Sequence, residues 1–169
     1  MQRTGYPQGK LPNVFFFLIA LVVVVADQLS KIWIRSNLAI GESLPETGLF
    51  RLTYIHNTGA AFGLFQGQSF ALTIVALIGI VVLLVFALFI YRRFPLFDSR
   101  LGKPAFGLVL GGTVGNLIDR LRLGYVTDFI DIGIWPAFNI ADSAIVVGVI
   151  LFSYSFLSLS RAKNTDSSI

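Results

Sequence analysis

Four long apolar segments alternate with polar connections along this chain. Each segment approaches the roughly 20 residues that an α-helix needs to cross the hydrocarbon core of a bilayer. The pattern therefore predicts an all-α membrane protein with four transmembrane helices in a single integral membrane domain, residues 1–169. The predicted helices cover about residues 13–35, 69–91, 104–120 and 137–160.

The connection at 38–68 follows a different period. Leu49–His56 alternates and is rich in β-branched and aromatic residues, which is typical of a strand, and Asn57–Gly59 supplies a turn. Ile40–Pro45 is a candidate partner strand. Because unpaired backbone is costly inside lipid, we expect a small extracytoplasmic β-sheet in this first outer loop, resting on the membrane surface. Three apolar side chains are expected to anchor it among the headgroups: Phe62, Leu64 and Phe65.

Composition agrees with a membrane protein and narrows the chemistry. Of all residues, 55% are hydrophobic and only 13% are charged, whereas charged residues make up about 25% of soluble domains. There is no cysteine, which excludes disulfides and thiolate chemistry. A single histidine, His56, argues against a multi-histidine metal site and against a Ser-His catalytic arrangement.

The distribution of basic residues predicts the orientation. Eight of the 13 Lys and Arg residues lie in the two termini and in the connection between the second and third helices. Cytoplasmic segments carry such an excess, so both termini are expected in the cytoplasm, and the net charge of +4 needs no nucleic-acid partner. A signal peptide cleaved after Ala26 is an alternative for the first segment, although the helical pattern continues past that residue.

Four aspartates fall on the predicted outer face: Asp27, Asp119, Asp128 and Asp142. Ionisable groups at membrane depth cost several kcal/mol unless they are paired or solvated, so they indicate a functional site. Lys31 follows Asp27 by one helical turn, a spacing that lets the two side chains pair and neutralise each other.

Asp128 and Asp142 are the candidates for chemistry, because the chain between them can leave one helix end and enter the next helix. Two carboxylates that face each other in an apolar site tend to share one proton. One can then act as a base toward water while the other protonates a substrate carbonyl, which hydrolyses an amide. Two alternatives remain: Asp142 as a helix N-cap, a role that Asn139 could also fill, and Asp128 as an exposed loop charge.

Further polar residues lie near the same face. Arg120 could hold a substrate carboxyl or phosphate group, or brace the loop that carries Asp128. Asn57 and Asn116 could bind a peptide backbone or cap a turn. The third helix carries a face of small residues that predicts close helix packing: Gly107, Gly111 and Gly115.

Five motifs occur in the order found in one family of membrane proteases. They are Asp27–Lys31, Asn57–Phe62, Gly111–Arg120, Val126–Phe129 and Phe138–Ala144. The sequence thus resembles the bacterial lipoprotein signal peptidases, the signal peptidase II family. One departure is His56, which stands where an aromatic residue commonly precedes the asparagine.

The resemblance implies an aspartic endopeptidase of the bacterial inner membrane, near whose periplasmic face the active site lies. It would remove the signal peptide from prolipoproteins just before the diacylglyceryl-modified cysteine. Asp128 and Asp142 would form the catalytic dyad, and Asp27 and Lys31 would hold the first helix to its neighbours. Four residues would line or brace the site: Asn57, Asn116, Arg120 and Asn139.

The resemblance also implies which molecules the protein meets. The segment 38–68 would cover the lipidated substrate, and the cyclic peptide globomycin, which targets this family, would wedge between the aspartates. Membrane lipid is the other partner; no metal, cofactor or nucleic acid is implied, and the protein is expected to be a monomer.

A small four-span ion-coupled transporter is the alternative function. Four spans with an intramembrane acid fit such a carrier, but a carrier places its site near the midplane, whereas these charges gather at one face. A structural scaffold assembled through the glycine face would leave Asp142 unexplained.

Overall fold

The computed structural model describes residues 13–59, 64–86 and 101–166. Within these ranges the chain forms four helices and three strands, and the strands make one antiparallel sheet in the order β1-β2-β3. The elements are α1 (Asn13–Asn37), β1 (Ser43–Leu44), β2 (Arg51–Asn57), α2 (Ser69–Val85), α3 (Gly102–Leu123), β3 (Val126–Asp131) and α4 (Ile140–Asp166).

The four predicted helices are present, with differences at their ends. The starts of α1 and α2 coincide with the predicted ones, while α3 extends beyond both predicted bounds. The last helix begins at Ile140 rather than at 137, because Asn139 occupies the capping position before it. The predicted end of the second helix at 91 lies outside the described residues, and so does Phe62.

Helix α3 is central and packs against α1, α2 and α4. Its glycine face confirms the predicted close packing, because a Cβ added at Gly107 would lie 2.7 Å from the carbonyl oxygen of Phe16 in α1. One turn further on, a Cβ at Gly111 would lie 2.7 Å from the carbonyl oxygen of Ala20. A neighbouring glycine, Gly112, faces the first turn of α4. Glycines on two sides of α3 therefore let α1 and α4 approach its backbone.

The sheet corrects the prediction in one respect. Its first two strands come from the expected connection, but β3 follows α3 and pairs with β2. The predicted sheet confined to the first outer loop was therefore incomplete. In the register between β2 and β3, Ile55 lies opposite Asp128 and Asn57 lies opposite Val126. This register places the side chains of Asn57 and Asp128 close together on adjacent strands.

A hydrophobic cluster attaches the sheet to the end of α1. Tyr54 of β2 and Phe129 of β3 are buried against Ile34 and Leu38. The sheet is therefore held where α1 ends, at the same end of the molecule as the aspartates.

Two helical segments, Val14–Asn37 and Ile140–Ser158, are long and apolar enough to cross a bilayer by length and composition; α2 is apolar but shorter in its described part. Large apolar side chains on these helices are exposed, including Val22 at 66% and Ile150 at 60%. Contiguous apolar surface of this kind suits lipid better than water.

The contact of Gly112 with α4 gives a test of the packing. In Gly112→Ala the new methyl group would meet the carbonyl oxygen of Ala141 and lie 2.8 Å from Cγ1 of Ile145. Because backbone must move, we expect a loss of about 1–3 kcal/mol in the free energy of unfolding, measured by thermal unfolding in detergent. Gly79→Ala is the matched control, since no atom lies within 4 Å of its added Cβ. An equal loss in both variants would contradict the packing described here.

Candidate functional site

A buried ion cluster joins α1 to α3. The Lys31 Nζ lies 2.9 Å from Asp27 Oδ2 and 3.4 Å from Asp119 Oδ2, and it donates a 2.9 Å hydrogen bond to Asn116 Oδ1. Lys31 and Asp27 are fully buried. The predicted pairing of Asp27 with Lys31 is confirmed, and the structure adds a second carboxylate to it. Charges so far from water persist only when they are paired and hydrogen-bonded, as they are here.

The two carboxylates of this cluster also fix other elements. Asp27 Oδ1 accepts the backbone N–H of Ala141 in the first turn of α4 at 3.0 Å. Asp119 Oδ2 accepts the backbone N–H of Thr127 in β3 at 2.9 Å. Arg35 Nη1 lies 3.6 Å from Asp119 Oδ1 and donates to Thr127 Oγ1 at 2.9 Å. The cluster thereby holds α1, α3, β3 and α4 in one arrangement.

Asp128 lies in the middle of β3 and is only 2% exposed. Its Oδ1 accepts a 2.7 Å hydrogen bond from Asn139 Nδ2, and its Oδ2 accepts a 2.8 Å hydrogen bond from Asn57 Nδ2. Burial above all, together with the charge of nearby Asp142, raises the pKa of Asp128 to about 7, although both amide hydrogen bonds act to lower it. This carboxyl group can therefore hold or release a proton near neutral pH, and it is not an exposed loop charge.

Asp142 lies in the first turn of α4, where it and Asn139 cap the helix reciprocally. Asn139 Oδ1 accepts the backbone N–H of Asp142 at 2.9 Å, and Asp142 Oδ2 accepts the backbone N–H of Asn139 at 3.2 Å. This is the geometry of a capping box. The other oxygen, Asp142 Oδ1, accepts a 2.7 Å hydrogen bond from Asn116 Nδ2. Asn139 is thus the cap, and Asp142 completes the cap while keeping one oxygen for the site.

A cavity of about 980 Å³ opens beside Asp142. Asn57, Asn116 and Arg120 reach its wall, and α4 contributes an apolar side through Val146 and its neighbours. Asp128 lies behind this wall, held by Asn57 and Asn139. Within the described ranges, no group of three or more His, Cys, Asp or Glu residues is placed to hold a metal ion. The cavity wall offers one carboxyl group, that of Asp142, and the side-chain amides of Asn57 and Asn116 to a largely apolar ligand. The second carboxyl group, that of Asp128, is joined to this wall through its hydrogen bond from Asn57.

Arg120 makes a hydrogen bond that the sequence did not indicate. Its Nη2 donates a 2.8 Å hydrogen bond to the carbonyl oxygen of Gly59, which follows β2. Arg120 therefore braces the first outer connection. The two roles expected from the sequence, binding a substrate group or bracing the loop that carries Asp128, stay predictions. The buried Nε of Arg120 has no hydrogen-bond partner within the part of the chain that the structure describes.

Two further groups received no role from the sequence. Gln28 Nε2 lies 3.1 Å from the carbonyl oxygen of Gly115 and 3.3 Å from Asp119 Oδ1, so it extends the ion cluster. His56 stacks on Tyr125 with ring centroids 3.6 Å apart, and its Nε2 lies 2.9 Å from the Tyr54 hydroxyl. Burial lowers the pKa of His56. The sequence signal that could have indicated a role for Gln28 is its polar side chain directly after Asp27. The stacking of His56 on Tyr125 could not be predicted, because it depends on pairing between segments that are distant in the sequence.

Comparison with known proteins agrees on one family. The sequence model described as Signal peptidase (SPase) II matches residues 19–158. The chain is 53% identical over 135 residues to a lipoprotein signal peptidase of Dehalococcoides mccartyi, an alignment that covers 80% of this chain and 84% of that protein. It is 49% identical over 144 residues to a lipoprotein signal peptidase of Moorella thermoacetica, covering 84% of this chain and 92% of that protein.

Two solved structures of bacterial membrane enzymes share the fold. One has a TM-score of 0.81 at 32% identity and covers 91% of this chain and 94% of its own. The other has a TM-score of 0.74 at 32% identity and covers 90% of this chain and 98% of its own. The family model, the related sequences and the solved structures give no support to the alternative function, an ion-coupled transporter. The chain therefore belongs to the signal peptidase II family, the lipoprotein signal peptidases of bacterial membranes.

Proposed function

We propose that this protein is an intramembrane aspartic endopeptidase whose catalytic dyad is Asp128 and Asp142. Its reaction would remove the signal peptide from a prolipoprotein just before the diacylglyceryl-modified cysteine. The observation that carries this proposal is that one residue, Asn139, binds both carboxyl groups. The pKa of about 7 for Asp128 adds a group that can exchange a proton at neutral pH.

The dyad would work with one shared proton, which belongs to the pair rather than to either residue. The ionised carboxylate takes a proton from a water molecule as its oxygen attacks the scissile carbonyl carbon. The protonated carboxyl donates its proton to the carbonyl oxygen. When the tetrahedral intermediate collapses, the carboxyl that took the proton from water donates it to the leaving nitrogen. The other carboxylate takes a proton from one hydroxyl of the intermediate as the C–N bond breaks and the carbonyl of the new carboxyl group forms. The pair then again holds one proton.

Uncharged donors support this cycle. Asn57 and Asn139 bind the two oxygens of Asp128, and Asn116 binds Asp142. These hydrogen bonds keep each carboxyl in place in whichever protonation state it occupies. The proposed role of Asp27 and Lys31 is to hold the helices that carry these groups.

The cavity is suited to a lipidated peptide. Its α4 side is formed by Ile145, Val146 and Val147, and Trp135 and Phe138 lie before that helix. Each acyl CH₂ group buried there contributes about 0.8 kcal/mol, so two acyl chains could supply much of the substrate's binding energy. Arg120 at the polar end of the cavity is placed to meet an oxygen of the substrate.

The same proposal includes the location of the protein and its orientation in the membrane. The chain would cross the inner membrane four times with both termini in the cytoplasm and would act as a monomer. Support comes from the excess of Lys and Arg in the termini and the middle connection. Further support comes from the position of the sheet, which lies at the end of α1 that is near the dyad. The dyad would then lie close to the periplasmic face.

Asp128→Asn and Asp142→Asn should each remain folded and lose about 10²–10⁴-fold in turnover, because each removes one partner of the proton exchange. Release of the signal peptide from a lipidated prolipoprotein in detergent measures this. The control is Asp131→Asn on the same strand, whose carboxylate is bound by Arg51 at 2.6 Å and lies outside the site. Near-normal turnover by a folded Asp128→Asn or Asp142→Asn protein would reject the dyad.

The substrate class has its own test. A precursor that lacks the diacylglyceryl group should be cleaved at least about 100-fold less efficiently in kcat/KM, because it loses the acyl burial described above. Precursors with progressively shorter acyl chains should give kcat/KM values between those of the fully lipidated and the unlipidated precursor. Equal kcat/KM for lipidated and unlipidated precursor would refute the lipid requirement without touching the dyad.

The raised pKa of Asp128 predicts how stability depends on pH. Between its ordinary value of 3.8 and about 7, the folded protein binds more protons at this group than the unfolded chain does. The free energy of unfolding should therefore fall as pH rises through this window, by up to about 1.4 kcal/mol per pH unit from this group. Asp128→Asn should lose that slope, so its stability relative to wild type should rise from pH 4.5 to pH 7 in detergent unfolding curves.

Asp131→Asn again supplies the control. The backbone N–H of Gly133 and the side chain of Arg51 lower the pKa of Asp131, so its ionised form is favoured by folding. Its removal should therefore change the pH dependence only in the acid range, below its ordinary value, and with the opposite sign. Parallel curves for wild type and Asp128→Asn between pH 4.5 and 7 would contradict a buried, protonated Asp128.

A further inference from the structure

Three asparagines surround the proposed dyad, and each has its side-chain oxygen fixed by a group that can only donate. A backbone N–H and an ammonium group have no acceptor capacity, so each of them requires the oxygen of the amide rather than its amino group. The pairs are Asn57 with the N–H of Gly59 at 2.9 Å, Asn139 with the N–H of Asp142 at 2.9 Å, and Asn116 with the Nζ of Lys31 at 2.9 Å.

Because the three oxygens are fixed, the three amino groups must point the other way. Two of them donate to Asp128, at 2.8 Å from Asn57 and at 2.7 Å from Asn139. The third donates from Asn116 to Asp142 at 2.7 Å. A reversed amide would place oxygen against oxygen at any of these contacts. The donors on the oxygens thus decide that the dyad receives hydrogen bonds.

Of the three donors that fix these amide oxygens, two are backbone N–H groups and the third is the side chain of Lys31. Its ammonium group has three hydrogens, and the structure gives it three acceptors. Two are the carboxylates of Asp27 and Asp119, which explain why a buried cation is held between the helices. The third is the neutral oxygen of Asn116, which charge balance does not require. Lys31 is fully buried and does not reach the cavity, so it cannot touch the substrate there.

We propose that Lys31 is a positioning residue for the reaction, because its ammonium group keeps the amino group of Asn116 directed at Asp142. This inference rests on the proposed dyad, since it acts through Asp142. Asn139 Nδ2 also donates to Asn116 Oδ1, but at a longer 3.1 Å and from an amino group that donates to Asp128 at 2.7 Å. Once Lys31 no longer donates, this weaker contact alone opposes rotation of the Asn116 amide. The rotated amide turns its oxygen toward Asp142, where that oxygen can accept a hydrogen bond only from a protonated carboxyl. The single shared proton is then held at that oxygen, and it is withdrawn from the exchange with water and substrate.

The test compares Lys31→Met with Lys31→Gln. Both side chains are neutral and unbranched at Cβ, and only Gln keeps a donor for Asn116. Lys31→Met should lower kcat by about 100-fold and leave KM within about threefold, because the change acts on the chemical step rather than on binding. Lys31→Gln should keep a kcat at least about tenfold above that of Lys31→Met, while both lose similar thermal stability through the lost pairing with Asp27 and Asp119.

Arg35→Met is the matched control for a cation on the same helix. Arg35 also pairs with Asp119, at 3.6 Å, but it makes its other contact with Thr127 rather than with Asn116. Its removal should lower stability and leave kcat within about threefold of wild type. If Arg35→Met lost as much kcat as Lys31→Met, the proposal would be overturned, because the loss of any ion pair in the cluster would then explain the lower kcat.

A double-mutant cycle tests whether Lys31 acts through Asn116. On an Asn116→Ala background, Lys31→Met should lower kcat by less than about threefold further, because the amide that it orients is gone. Fully additive losses would overturn the proposal. If Lys31→Met does not fold, Lys31→Gln decides: its kcat must exceed that of Asn116→Ala by at least about tenfold, and equal values would overturn the proposal.

Failure of this inference can be told apart from failure of the dyad. If Asp142→Asn retains turnover, the dyad is wrong, and the role of Lys31 falls with it. If Asp142→Asn is inactive while the Lys31 and Asn116 effects add, the dyad stands and Lys31 only holds the helices together.

Discussion

The burial of Lys31 between Asp27 and Asp119 is the interaction on which the rest of the structure depends. Removing three charges from water is expensive, and it is offset only if nearly every donor and acceptor is used. That condition is met by bonds to other elements: Asp27 binds the first turn of α4 through Ala141, and Asp119 binds β3 through Thr127. The requirement to satisfy three buried charges therefore fixes the relative positions of the strand and the helix that carry the dyad.

The same arrangement needs helices that approach one another closely. A Cβ at Gly115 would lie 2.6 Å from Asp27 Oδ2, so only glycine lets this carboxylate reach across α3 toward α4. Close packing also keeps water from Asp128, and the lost hydration is the main cause of its raised pKa. The glycine face thus allows the helices to pack closely enough for the ion cluster to form, and the same close packing raises the pKa of Asp128.

The sequence allowed the helices and the pairing of Asp27 with Lys31 to be predicted, because both depend on local periodicity. It did not allow β3 to be predicted, since Val126–Asp131 is short and buried on both faces, which hides the alternation of a half-buried strand. The contact of Arg120 with Gly59 was not predicted either, because it spans 61 residues. Asp142 and Asn139 were treated as competing caps, yet the structure uses both. Contacts between distant segments decide such details, and a single sequence does not display them.

The choice of partners separates the structural acids from the proposed catalytic acids. Within the described residues, the basic side chains near the site bind groups other than Asp128 and Asp142. Lys31 and Arg35 pair with Asp27 and Asp119, and Arg120 binds a backbone oxygen. Asp128 and Asp142 receive hydrogen bonds from asparagines and backbone instead. A cation in direct contact would favour the charged form of a carboxyl and oppose a shared proton. Hydrogen bonds from the neutral amides of Asn57 and Asn139 also favour the charged form of Asp128, but its burial outweighs them and raises its pKa to about 7. The protein can therefore bury four acids near one another and keep the proposed dyad able to exchange a proton.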